Sequence, residues 1–240
     1  LGNHEFDYQL ERLETLIGMM GTKPVCSNFQ KIGEESSYFE PYSIVSYGDV
    51  DIAYIGITTP TTLTTSSPAQ FKDEKGNFVY DFHSPDLYEV VQKNIDAAEA
   101  EGADYIIAIS HIGYAEDEIY GDLEDVEDLI KNTDGLDVVL DAHSHSVIEG
   151  MEITDKEGNE VLLSSTGTKF ENIGKLTISD FDDSNVWVIA RDAIKEVEIL
   201  DGVTALPRYA FGNYGNLTSV TIPNSVTSIG DSAFLECNAL

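Results

Sequence analysis

The sequence predicts a layered α/β fold of sheet and helices, incomplete at its N-terminus, followed by a short β-rich segment built from repeats. Three observations carry that prediction. Between residue 42 and about residue 178, short β-rich runs alternate with helical patterns, the order expected of a sheet with helices packed on it. Four of the five histidines fall in three short clusters, and two of those clusters close an apolar run, as happens where strands end at the rim of such a sheet. Residues 195–217 and 218–240 align without a gap as two units of 23 residues, a period that marks a repeat array.

The strand candidates are Ile52-Ala53-Tyr54-Ile55-Gly56-Ile57, Tyr105-Ile106-Ile107-Ala108-Ile109, Val138-Val139-Leu140 and Val161-Leu162-Leu163. Between the first two, Ser84-Pro85 offers an N-cap and a first-turn proline. Leu87, Val90, Val91, Ile95 and Ala98 then recur at helical spacing until Gly102 stops the helix. A second helix is expected from Ile119 to Lys131. The Thr-, Ser- and Pro-rich stretch from Thr58 to Ser67 is expected to be an irregular loop and a candidate rim of the site, and Lys72 to Asn77 a turn.

Composition narrows the functional classes. Forty-four acidic against thirteen basic residues give a formal charge of −31. Such a field repels the phosphate backbone and anionic lipid, so unaided nucleic-acid or membrane-surface binding is not expected. It also repels nucleotide-sized anions, so a site that handles phosphates needs added positive charge, which bound divalent metals supply. Between residues 116 and 137 lie ten acids (Glu116, Asp117, Glu118, Asp122, Glu124, Asp125, Glu127, Asp128, Asp134, Asp137) and one base, Lys131. This run reads as a solvated helix face and lacks the calcium-loop pattern of an EF-hand. Cys26 and Cys237 are too few for a disulfide framework. No window approaches eighteen uninterrupted apolar residues, so no transmembrane segment is expected.

In the tail, Val197 matches Val220, Ile199 matches Ile222, Val203 matches Val226, Leu206 matches Ile229, Ala210-Phe211 matches Ala233-Phe234 and Leu217 matches Leu240. A unit this small cannot bury its own apolar face, so further units are expected beyond Leu240. The units resemble bacterial cell-surface leucine-rich repeats through Leu217-Thr218-Ser219-Val220-Thr221-Ile222-Pro223 and Ile229-Gly230-Asp231-Ser232-Ala233-Phe234. The resemblance is weaker in the first unit, where Leu200 and Pro207 replace Pro and Gly. It implies a curved stack for contact with a surface or protein partner, outside the cell.

The candidate chemistry lies in the histidine clusters. His143 and His145 stand two apart just past an apolar run, so in an extended backbone both rings would face the same side and could bind one metal or two neighbouring ones. His111 ends the preceding apolar run, with Gly113 two residues on to give backbone freedom. Asn3 and His4 are offered by a Gly-Asn-His turn, where an amide oxygen can ligate a hard metal and an imidazole can donate to a developing oxyanion. Asp7, three residues after His4, can hydrogen-bond that ring. His83, beside Asp81, Ser84 and Pro85, reads as a structural residue at a helix entry.

In order, Gly2-Asn3-His4-Glu5-Phe6-Asp7, Ser110-His111-Ile112-Gly113 and Asp141-Ala142-His143-Ser144-His145 resemble the calcineurin-like metallophosphoesterases, and within them the 5′-nucleotidase branch. The resemblance runs from Leu1 to about Ile178 and includes Ser164-Ser165-Thr166-Gly167-Thr168; Ala142 departs from the usual glycine. It implies two divalent metal ions, with Mn, Zn, Fe and Co all suited to the ligands. By position, Asn3, His111 and His143 would bind one ion and His145 the other. His4, oriented by Asp7, would stabilise the transition state or protonate the leaving oxygen. The reaction implied is two-metal hydrolysis, with water attacking phosphorus in line. The family's upstream Asp-x-His motif and bridging Asp do not occur in this sequence, so the 240-residue chain by itself is expected to bind metal weakly and hydrolyse poorly.

These readings divide the chain into a catalytic domain at residues 1–192 and two repeats at residues 193–240. The expected function is dinuclear-metal-dependent hydrolysis of phosphate esters, most directly nucleotides, by a secreted or surface-attached enzyme. Nucleoside monophosphates, 2′,3′-cyclic nucleotides, nucleotide sugars and other phosphoesters all suit such a centre. The alternatives are a cell-surface interaction protein with a vestigial phosphoesterase domain, and a metal-dependent hydrolase of a non-phosphate ester. A junction near Asp192 created by gene prediction also stays open.

Overall fold

The computed structural model describes residues 1–114, 125–169, 171–176, 178, 195–199, 202–206, 210–212 and 214–240. Contacts divide the chain into two compact units, one of residues 1–144 and 152–163, the other of residues 145–151 and 164–240.

In the first unit the chain opens with a 3-10 turn at Asn3–Phe6 and helix α1 at Leu10–Met19. The short strand β1 (Gln30–Lys31) pairs antiparallel with β4 (Tyr80–Asp81). Strands β2 (Tyr42–Tyr47), β3 (Val50–Thr58), β5 (Tyr105–His111), β6 (Val138–Leu140), β8 (Glu160–Thr166) and β7 (Val147–Thr154) form a six-stranded sheet in that order. β2 and β3 are antiparallel, whereas β3, β5 and β6 run parallel, so their carboxyl ends share one edge. All four predicted strands are present. β2 and β7 were not among them, because half-exposed strands lack a continuous apolar run.

The helix between β3 and β5 is α3 (Leu87–Ala100), with Leu87, Val91, Ile95 and Ala98 buried as the spacing predicts. Its start corrects the sequence reading: Asp86 occupies the N-cap and Ser84 to Asp86 form a turn ahead of it. Asp81 shapes that entry, its carboxylate accepting from the amides of Phe82 and His83, while His83 Nδ1 lies 3.0 Å from Asp86. Within the described residues the second helix, α4, spans Val126–Asn132. Asp125 caps it by accepting from Asp128 N. Residues 119–124 of the expected helix lie outside the described residues, as do Glu116, Asp117, Glu118, Leu200, Pro207 and the proposed junction at residues 192–193.

The Thr/Ser-rich stretch after β3 is more regular than expected. It forms helix α2 (Thr62–Thr65) and a 3-10 turn at Pro68–Phe71. Threonine hydroxyls hold it by bonding back to nearby carbonyls, as Thr62 does to Thr59 and Thr65 to Thr61.

Two devices fasten the segment before the sheet to β3. Beneath the opening turn, Phe6, Phe29, Phe71 and Phe82 are fully buried, and the Phe6 ring meets Phe29 at 5.1 Å and Phe82 at 5.4 Å, both edge-on. Asn28, also fully buried, donates from Nδ2 to the carbonyls of Thr58 and Phe82 and accepts from Thr58 N at Oδ1. Replacing Asn28 by Ala strands a backbone amide and two carbonyls in the core, so thermal unfolding is expected to show a loss of about 2–3 kcal/mol. An unchanged melting temperature would contradict that placement.

In the second unit the 23-residue sequence period becomes a strand register. β9 (Glu196–Glu198) pairs in parallel with β11 (Ser219–Thr221), Val197 opposite Val220. β10 (Ala205–Leu206) pairs with β12 (Ser228–Ile229), Leu206 opposite Ile229. The hydroxyls of Thr218 and Thr227 each reach the carbonyl 23 residues earlier, at Lys195 and Thr204. Phe211 and Phe234, equivalent in the two repeats, stack at 5.4 Å over a cluster that includes Leu206, Ala210, Tyr214, Leu217 and Ala233.

Candidate active site

The parallel register of β3 and β5 pairs Thr58 with His111, and β6 ends at Leu140 opposite Ile109. His111 and the residues following Leu140 therefore leave the sheet at one edge. The opening segment is held at the same edge by side chains from β3 and the stretch after it. Thr58 Oγ1 donates to the Leu1 carbonyl, Ser66 Oγ to that of Asn3, Gln70 Nε2 to that of Phe6 and Ser67 Oγ to that of Asp7. The stretch expected to rim the site thus serves as a cradle for the Gly-Asn-His turn. These donors give side-chain partners to carbonyls in and flanking the turn, that of Phe6 also accepting from Gln9 N.

Asn3 is buried, and its Oδ1 lies 3.0 Å from His111 Nε2. The His111 and His143 rings lie 5.0 Å apart between centroids. A side chain on Gly2 would come within 2.9 Å of His111 Cε1 and Nε2, so only glycine leaves room for that ring. Burial, reinforced by the neighbouring His143 ring, pushes the His111 pKa down to about 4. The ring is therefore neutral at physiological pH, with a lone pair available to a cation. His4, largely exposed, places Nδ1 2.8 Å from Asp7 Oδ2.

The backbone around the second cluster differs from the expected extended strand. His143 has φ +81° and His145 φ +60°, both left-handed, so the same-side argument from strand alternation does not apply. β6 ends at Leu140 and its ladder does not continue into these residues. Left-handed geometry at non-glycine residues costs of order 1–3 kcal/mol and concentrates at functional positions.

Of the predicted site residues, Asn3, His111 and His143 come together in the first unit, and His4 pairs with Asp7 beside them. His145 belongs to the second unit. Among the described residues no group of three His, Cys, Asp or Glu side chains is gathered closely enough to hold a metal. The converging donors are instead two imidazoles and an amide oxygen. In donor type that set fits a borderline or hard divalent cation. Supporting residues that sequence reasoning did not single out are Ser66, Ser67 and Gln70, and Asp141, whose carboxylate accepts from Ile112 N and Gly113 N. Ser66 and Ser67 lie in the stretch read as a candidate rim and Asp141 in the motif that ends at His145, whereas Gln70 carried no signal.

The sheet order and strand-end residues resemble those of the α/β domain of the calcineurin-like phosphoesterases. The calcineurin-like phosphoesterase YfkN from Bacillus subtilis superposes with a TM-score of 0.60 at 24% identity, covering 79% of this chain and 60% of that one. The 5′-nucleotidase precursor from Thermus thermophilus gives 0.56 at 27% identity, over 70% of this chain and 32% of that one. In sequence, the chain is 27% identical over 206 residues to the 2′,3′-cyclic-nucleotide 2′-phosphodiesterase/3′-nucleotidase of Haemophilus influenzae, covering 79% of this chain and 30% of the relative. It is 27% identical over 222 residues to the trifunctional nucleotide phosphoesterase protein YfkN of Bacillus subtilis, covering 84% and 14%. The chain thus spans less than a third of the length of these curated relatives. The family described as BspA type leucine rich repeat region (6 copies) matches residues 169–240. The chain resembles the 5′-nucleotidase branch of the calcineurin-like phosphoesterases, and its C-terminal end matches BspA-type repeats.

Proposed function

We propose that this chain carries the hydrolytic domain of a metal-dependent phosphoesterase that acts on nucleotides, as a 5′-nucleotidase, a 2′,3′-cyclic-nucleotide phosphodiesterase or both. The observation that carries the reading is the approach of Asn3 Oδ1 to His111 Nε2 at 3.0 Å, beside the His143 ring, at the edge where parallel strands end. The names of the related enzymes support the substrate class.

Asn3, His111 and His143 would hold one divalent ion and His145 a second, with Mn, Zn, Fe and Co all compatible with these donors. Held there, such ions would supply positive charge to the phosphoryl oxygens and lower the pKa of water for hydrolysis. That charge is needed in a chain of net charge −31, which otherwise repels its substrate. His4 contributes a proton. With the ring protonated on both nitrogens, Asp7 accepts from Nδ1–H and the Nε2–H is left to donate to the leaving oxygen or to a developing oxyanion.

The division into a catalytic domain at residues 1–192 and repeats at residues 193–240 belongs to the same reading, supported by the register of β9 with β11 and β10 with β12. The BspA-type match supports an extracellular or cell-surface location, with the repeats contacting a surface or a protein partner. No helix among the described residues is long and apolar enough to cross a membrane. The same match favours a second reading, a surface interaction protein whose phosphoesterase domain no longer turns over.

The test is phosphate release by the natural gene product containing this sequence, with Mn2+, from nucleoside 5′-monophosphates, 2′,3′-cyclic nucleotides and bis(p-nitrophenyl) phosphate. Activity is expected in the parent and is expected to vanish when His143 and His145 are both replaced by Ala. Silence of the parent across the panel with Mn2+ bound would favour the surface-interaction reading.

A further inference from the structure

We propose that Asp141 is a positioning residue whose carboxylate ties the loop after β5 to the loop after β6 and so sets how closely His111 and His143 approach. The inference rests on the metal-binding reading of those histidines. The ladder between β5 and β6 runs to the pair of Ile109 with Leu140, ahead of both histidines. Beyond it the loops are joined by side chains. Asp141 Oδ1 accepts from Ile112 N at 3.2 Å and Gly113 N at 3.3 Å, and Oδ2 accepts from Gly113 N at 3.1 Å. On the far side of His143, Ser144 Oγ accepts from Tyr114 N at 3.1 Å. His143 is thus bracketed in sequence by two ties to the residues that directly follow His111.

Three further observations favour a positioning role over simple stabilisation. Asp141 is 7% exposed, and among the described residues no Lys or Arg pairs with it. A buried carboxylate without a cationic partner is expensive to keep, so a well-packed apolar residue would serve stability better. His143 sits at φ +81°, a geometry that persists only when its surroundings impose it, and the two ties supply that constraint. Gly113, at φ +99°, sits where the loops touch, since a Cβ there would lie 3.3 Å from Ser144 N and 3.4 Å from His143 Cδ2. Hydrogen bonds that orient ligand-bearing elements in this way are commonly worth 10- to 100-fold in metal affinity.

The experiment is calorimetric titration of the natural gene product with Mn2+ alone, comparing the parent with Asp141→Ala, Asp141→Asn and His143→Ala. Asp141→Ala is expected to weaken binding about 10- to 100-fold. Asp141→Asn, whose side-chain oxygen still accepts from Gly113 N, is expected to stay closer to the parent. A melting temperature of the metal-free Ala variant near that of the parent separates positioning from unfolding. If Asp141→Ala binds Mn2+ within about twofold of the parent while His143→Ala loses the site, the positioning role is overturned and the metal reading stands. If His143→Ala also binds as the parent does, both fall. Should the Ala variant not fold, Asp141→Glu keeps the charge but displaces the oxygens by one methylene: weakened binding supports the tie, and parent-like binding overturns it.

Discussion

Replacing His111 by Ala is expected to lower phosphoester turnover by on the order of a thousandfold, the equivalent of the several kcal/mol that metal-supplied charge contributes to such a transition state. His111 is the centre of the observed convergence: Asn3 Oδ1 approaches its Nε2, the His143 ring faces it, and Gly2 is bare of a side chain to admit it. The fold is expected to survive. The imidazole lies at the last residue of β5, its backbone carbonyl still accepts from Thr59 N, and the strand ladder to β3 is untouched. Turnover and thermal unfolding measured on one preparation separate the two effects. Retention of more than about a tenth of parental turnover with a normal melting temperature would remove His111 from the machinery.

Gly56→Ala is expected to act on the scaffold. A Cβ on Gly56 would lie 2.1 Å from the Val25 carbonyl oxygen, 2.4 Å from its carbon and 2.9 Å from Cys26 N. These are backbone atoms and cannot swing aside as a side-chain end would. The chain there is also pinned, because Ser27 donates to the Gly56 carbonyl from both its amide and its hydroxyl, and Gly56 N donates to Pro41. A glycine within a strand commonly marks such an approach of a second backbone. Relief requires moving either β3 or the segment that carries Cys26 and Asn28, at a cost of about 3 kcal/mol or more. Thermal unfolding should then fall by about 10 °C, with much of the protein insoluble. A melting temperature within about 2 °C of the parent would show that the segment from Val25 does not pack against β3 as described.

Much of the sheet was legible because its central strands are long apolar runs. Ile52 to Ile57, Tyr105 to Ile109 and Val138 to Leu140 lie inside β3, β5 and β6, most of whose residues are buried. The start of α3 was less legible: Ser84-Pro85 matched a general cap preference, while the chain begins its helix at Leu87 after the Asp81-centred turn. The candidate site was partly legible. Residue type and strand-end position pointed to Asn3, His4, Asp7, His111, His143 and His145, yet strand alternation puts His143 and His145 on one side only in an extended backbone, which they do not adopt.

The sequence by itself determined which elements are periodic: the apolar strands, the Leu87-to-Ala98 helical face and the 23-residue repeat that reappears as strand register. These are local patterns, and each reports a face that must be buried. Tertiary structure alone decided which distant atoms meet: Asn3 with His111 across 108 residues, Asp141 with Gly113 across 28 and Ser66 with the Asn3 carbonyl across 63. Such contacts depend on where parallel strands end and which side chains can satisfy backbone groups left without partners there, and no local pattern encodes that.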